Sequence, residues 1–121
     1  MGRVFVVQEP MRRDPSTGDM VPMMNMKNVF EFGDPVVCLP NGQVSLSSVP
    51  TVTKLREVLR DYCDDDFLVA VGDPSAIAIA SAIACDNNRG RMTLLKWDKD
   101  RRKYSKIDIN IFPYRKESEH A

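Results

Sequence analysis

Histidine is almost missing from this chain of 121 residues: the single copy, His120, is the penultimate residue. Structural zinc sites usually draw four ligands from closely spaced cysteines and histidines. Cys38, Cys63 and Cys85 stand 25 and 22 residues apart and form no CxxC pair. No metal site is readable, and no cofactor is expected. A Cys–His catalytic pair would need His120 to be anchored, and terminal residues seldom are. The three cysteines read instead as reduced thiols, mostly packed as small hydrophobes, and no catalytic residue is assigned. Long apolar runs are missing too. The longest, Ala76 to Cys85, is ten residues with Ser81 inside it, whereas a membrane-crossing helix needs about 20. The N-terminal MGRVFVVQEP lacks the apolar region and small-residue cleavage site of a secretory signal. Gly2 follows Met1, but Val6 occupies the position where a myristoylation pattern requires Ser or Thr. A cytosolic protein with no membrane partner is expected.

Net charge is also absent, the formal total being zero, yet the charges are sorted along the chain. Residues 1–88 hold 7 basic and 12 acidic residues, and residues 89–121 hold 10 basic and 5 acidic. Such polarity steers a partner or a second copy of the chain.

The length fits one domain, read as residues 1–113 followed by a flexible polar tail, residues 114–121. Val4 to Val7 is β-branched and aromatic, a first strand. Asp14-Pro15 and Gly18 punctuate a loop over residues 12–19, and residues 20–26 return as a second strand, where Pro22 argues for an edge. Asn41-Gly42 supplies the positive φ angles of a two-residue hairpin, so a third and a fourth strand are expected on either side of it. Pro50 opens a helix whose stripe is Val52, Leu55, Leu59 and Tyr62, widened by Val58.

Phe67 to Val71 is short and wholly apolar, suited to a strand covered on both faces. Asp73 and Pro74 are the N-cap and first residue of an alanine-rich helix that Gly90 stops. RMTLLKW and YSKIDINI then alternate as a C-terminal hairpin around the charged loop Asp98 to Lys103. Residues 67–97 form a β-α-β unit, for which a parallel crossover is the expected geometry. The order β-β-β-β-α-β-α-β-β predicts an α+β fold with one mixed sheet and two helices, packed mainly on one face.

Four groups of residues are candidate sites. Gly72, Asp73 and Ser75 form a turn at a helix N-terminus, where backbone N–H groups attract anions. The turn lacks a dinucleotide fingerprint and a P-loop, Asp73 would repel an anion, and an ordinary capped helix is the commoner outcome. Asp64, Asp65, Asp66 and Asp73 flank one strand and would hold Mg²⁺ if they converged; acidic loops are usually just solvated. Lys96, Lys99, Arg101, Arg102, Lys103 and Lys106, with Trp97 and Tyr104, supply the cations and rings of a nucleic-acid or partner surface. Asp98 and Asp100 interrupt that patch, and Trp97 reads as a core residue. Met20, Met23, Met24 and Met26 crowd one segment, as methionines do in cores and at adaptable protein interfaces.

Several of these elements also carry a text pattern: Leu55 to Tyr62 as L-R-x-x-L-R-D-[FY], the run Asp64 to Asp66, and Gly72 to Ile77 as G-D-P-x-A-I. It continues with Asn88-Arg89-Gly90-Arg91 as N-x-G-R and Leu95 to Asp98 as L-K-W-D. In these the chain resembles a group of small proteins of tailed bacteriophages. The resemblance implies phage origin and action inside an infected bacterium, in the host cytoplasm. It carries no catalytic residues. By analogy with small accessory phage proteins, it implies a non-enzymatic role in which the protein binds a bacterial host or phage protein. Nucleic acid is the second partner class read from the residues, a small anionic ligand such as a nucleotide the third, and a homo-oligomer is compatible with each.

Overall fold

The computed structural model describes residues 2–9, 11–22, 27–40, 42, 44, 47 and 49–113. In chain order the elements are β1 (Arg3–Gln8), β2 (Met11–Arg13), β3 (Met20–Pro22), α1 (Lys27–Phe30), β4 (Asp34–Leu39), α2 (Val49–Val58), β5 (Phe67–Val69), α3 (Pro74–Asn87), β6 (Arg91–Asp98) and β7 (Lys103–Asn110). Val4 to Val7 are all buried. A strand that is apolar on both faces belongs inside a sheet, and β1 indeed lies within a five-stranded sheet of order β4-β1-β5-β6-β7. Four strands are parallel, with Val6 beside both Val37 and Val69 and Leu68 beside Leu94. β7 runs antiparallel to β6, Leu95 facing Lys106 and Trp97 facing Tyr104. β2 and β3 form a separate antiparallel pair.

The architecture is the expected single α+β domain: a mixed sheet, two long helices and a C-terminal hairpin. Parallel neighbours need a crossover between them, and α3 supplies the one from β5 to β6. Its start is fixed chemically, for the Asp73 carboxylate accepts the Ser75 N–H at 2.8 Å and Pro74 occupies the first turn. Both α2 and α3 cover one face. Leu55, Leu59, Ala76, Ala80, Ile83 and Ala84 pack there with Phe5, Val7, Leu68 and Met92. The alanines let α3 approach closely.

Among the described residues the opposite face has much thinner cover. Val4, Val6, Val69, Leu95 and Tyr104 pack there with Val29 of α1 and with Phe32. A helix of four residues spans only about 6 Å and cannot roof a five-stranded sheet. Val37 and Trp97 consequently stay exposed. This corrects the assignment of Trp97 to the core.

The Asn41-Gly42 hairpin is a second correction. β4 pairs in parallel with β1 instead, and Gly42, Val44 and Ser47 belong to no strand; residues 41, 43, 45, 46 and 48 lie outside the described residues. Met11 to Arg13 form a strand where the sequence placed the start of a loop. Among the described residues no helix is long and apolar enough to cross a membrane.

Candidate functional site

The parallel strands β4, β1, β5 and β6 end on one side of the sheet. Counting only its own members in chain order, the sheet reads 2-1-3-4-5, an order found in doubly wound sheets. Those sheets hold ligands beyond the strand ends where the order reverses, which here is between β1 and β5. Gln8 fills that point and is buried. Its Oε1 accepts the Asp73 N–H at 2.7 Å, and its Nε2 donates to the carbonyls of Pro40, at 3.1 Å, and Gly42. Gly72, at φ +120°, lies directly against the Gln8 side chain. Around the candidate anion turn, the N–H groups of Asp73 and Ser75 are thus already engaged within the protein, and the Asp73 carboxylate stands at the helix start.

The hairpin loop lies at the same end of the sheet, because β7 begins where β6 finishes. Asp98 Oδ1 accepts the N–H groups of Asp100 and Arg101 at 3.0 and 3.2 Å, tightening the turn. Arg102 has φ +52°. Strand alternation then divides the basic residues. Trp97, Tyr104 and Lys106 share the thinly covered face, while Lys96 and Lys103 point to the helical face. Trp97 is 38% exposed, with its ring edge-to-face on Tyr104 at 5.1 Å. Beside it lies a concavity of about 530 Å³ lined by Asn28, Trp97, Lys99 and Arg102. Lys106 Nζ lies 5.2 Å from the centre of the Phe67 ring and 5.8 Å from that of Phe32. Arg101 is exposed and only loosely paired, 3.9 Å from Asp98. Of the six cations named from the sequence, Lys99 and Arg102 are the two brought to the indole.

At the other end of β7 the surface is apolar. Ile107 is 39% exposed, Ile111 55% and Phe112 40%. A groove of about 490 Å³ runs there between α3 and the strand, with Ala82, Cys85, Met92, Ile109, Ile111 and Phe112 in its walls. β7 is the last strand on that side of the sheet.

The aspartates do not converge. Asp66 precedes β5 and Asp73 follows it, so they sit at opposite ends of the strand, each residue of which adds about 3.3 Å. Asp66 is buried and accepts the N–H groups of Arg3 and Cys63, each at 2.9 Å, together with Arg3 Nη2 at 3.0 Å. Asp64 accepts from Asn88 Nδ2 at 2.8 Å and Arg91 Nη2 at 2.9 Å, and those bonds hold its carboxyl below the usual range. Among the described residues no three His, Cys, Asp or Glu side chains gather to hold a metal ion. Burial pushes the Cys38 thiol up to about 12 and raises Cys85 as well, so both stay protonated at neutral pH. Tyr62 is likewise raised to about 12, chiefly by burial; its hydroxyl donates to the Asp66 carbonyl at 3.1 Å and accepts the Thr93 N–H at 3.2 Å.

Met20 is exposed on β3, while Met23, Met24 and Met26 lie outside the described residues. Sequence reasoning did not single out the buried Gln8, and it named Asp66 only as part of an acidic cluster, not as a buried clamp. The available signal was position: each is a polar residue directly adjoining an apolar strand, Gln8 after VFVV and Asp66 before FLV.

No curated protein and no solved structure gives a significant match. The model of the Phage Pam3 gp32-like protein family matches residues 2–111, nearly the whole described chain from β1 to the end of β7. The chain therefore belongs to the Phage Pam3 gp32-like family of phage proteins.

Proposed function

We propose that the protein is a small phage accessory protein acting without catalysis in the cytoplasm of the infected cell, where its C-terminal hairpin binds another protein. The observation that supports this is the apolar surface on and just beyond β7: Ile107 is exposed on the last strand of the sheet, and Ile111 and Phe112 directly after it. Large exposed apolar groups next to a sheet edge are what an added strand or a packed partner would cover. The test is affinity capture of the tagged protein from a bacterial host after nuclease treatment. A stoichiometric protein partner is expected with the wild type and with Met20→Ser, and its loss with Ile111→Asp. Equal capture by all three proteins would move the contact away from the hairpin.

A second reading, nucleic-acid binding, is favoured by Trp97 standing open beside Lys99 and Arg102. Stacking on an aromatic ring is worth about 1–3 kcal/mol per base, and contacts to phosphate weaken steeply with salt. Trp97 is the only tryptophan, so its fluorescence reports directly on this surface. Quenching by an oligothymidylate that fades with salt and is about tenfold weaker in Arg102→Ala would support this reading. Unchanged emission would remove it.

A further inference from the structure

We propose that the partner of the β7 edge is a second copy of this chain, joined antiparallel about a two-fold axis through Ile107. This inference rests on the proposed use of that edge and names its occupant. An edge strand offers its outward N–H and C=O groups to another strand, and an edge pairing with itself under two-fold symmetry brings one residue opposite its own copy. The charges of β7 exclude two central residues and favour a third. Lys103, Ser105, Ile107 and Ile109 lie on the helical face, and Tyr104, Lys106, Asp108 and Asn110 on the other. An axis through Lys106 or Asp108 would set like charges directly opposite, which is destabilising. An axis through Ile107 sets Lys106 opposite the second copy's Asp108, and does so twice by symmetry. The two Ile107 side chains meet on the helical face, flanked by Ser105 and Ile109 of each copy. This register places the exposed Ile107 at the centre of the contact and sets opposite charges across it on both sides, where Lys106 would turn from the Phe67 and Phe32 rings, and Asp108 from the Thr93 hydroxyl, to meet the second copy.

The geometry has a consequence for the other surface. Residues directly opposite in an antiparallel pair share a face, so both copies present Trp97, Lys99 and Arg102 on the same side of the joined sheet. With strands about 4.8 Å apart and 3.4 Å per residue, the two Trp97 positions lie roughly 25 Å from each other. The dimer thus offers two equivalent clefts to an extended partner.

Sedimentation equilibrium of the full chain tests the association, and a self-crosslinking cysteine tests the register. The wild type is expected to sediment at twice 13.7 kDa. Lys106→Asp or Asp108→Lys alone is expected to weaken the dimer at least tenfold, and the double exchange to restore it. In a Cys63→Ser background, Ile107→Cys is expected to form a disulfide-linked dimer on mild diamide oxidation, since facing Cα atoms in an antiparallel pair are about 4.5–5.5 Å apart. Ser105→Cys is expected not to, because its own copy is displaced by four residues, roughly 13 Å along the strand. A monomer at about 100 μM would overturn the dimer while leaving the hairpin open to a foreign protein. A dimer that is indifferent to both charge changes and does not crosslink at position 107 would overturn this register.

Discussion

Replacing Asp66 with alanine is expected to lower stability by about 3 kcal/mol at neutral pH and the melting temperature by about 10 °C. The residue is 1% exposed and ties β1 to the loop before β5 through the N–H groups of Arg3 and Cys63. Alanine leaves both donors without their acceptor at a site that gives water little access, and each such group costs about 1–3 kcal/mol. The ion pair with Arg3 adds less, because that guanidinium is partly solvated and water screens it. Asparagine, which keeps one acceptor oxygen, is expected to fall between alanine and the wild type. Asp64→Ala is the contrast: its carboxylate is largely exposed, and a loss below about 1 kcal/mol is expected.

The pH dependence follows from the same contacts. Burial acts to raise the Asp66 pKa, but the bonds from the Arg3 side chain and from the Arg3 and Cys63 N–H groups, with the Arg3 charge, outweigh it and hold the carboxyl below its ordinary value. A carboxyl whose pKa is depressed by folding contributes stability above its unfolded pKa, about 3.9, and that contribution is lost as pH falls through the folded value. The gap between wild type and Asp66→Ala is therefore expected to be full at pH 7 and to narrow below pH 4. Urea titrations at pH 7 and pH 3 measure it. A gap of equal size at both would show that the lost contacts do not depend on the charge.

The C-terminal half was legible because its signals are local. The Asp73-Pro74 start of α3, the alternation of β6 and β7, and the apolar run Phe67 to Val71, of which β5 takes Phe67–Val69, each specify an element within a few residues. β4 was only half legible. Its apolar residues announced a strand, but its partner lies more than thirty positions away, with Arg3 beside Asp34, and Asn41-Gly42 offered a nearer and misleading one. Pro35 is tolerated because β4 is an edge. Trp97 was misread for a different reason. Alternation shows that a residue faces one side of a sheet, not how well that side is roofed, and the brevity of α1 is a tertiary fact. The run Asp64 to Asp66 shows the same limit, since three identical residues in sequence have two different fates. Asp64 forms surface pairs and Asp66 a buried clamp, set by where Arg3 arrives from the far end of the chain. Much of the sequence pattern quoted for the resemblance falls on fold-determining positions: Leu55, Leu59 and Tyr62 in the core, Asp73 as a cap, Asn88 and Arg91 holding Asp64.

Gly72→Ala is expected to cost about 3 kcal/mol, from two sources of roughly equal size. At φ +120° an alanine is strained wherever it is placed, and its Cβ would stand 2.5 Å from both Cβ and Oε1 of Gln8. Gln8 has nowhere to go, because it bonds at once to Asp73, Pro40 and Gly42. A double-mutant cycle separates the two sources. Gln8→Gly removes the obstructing atoms and leaves the backbone strain, so the cost of Gly72→Ala is expected to fall by about 1–2 kcal/mol in that background. An unchanged cost would assign the whole effect to the backbone and deny the close packing. The result bears on function as well as stability. The β1–β5 reversal is where a sheet of this order opens a crevice for ligands, and a coupled Gln8–Gly72 pair means that the protein's own side chain closes it. The surfaces left open at the hairpin are the Trp97 cleft at one end and the exposed Ile111 and Phe112 beyond the other.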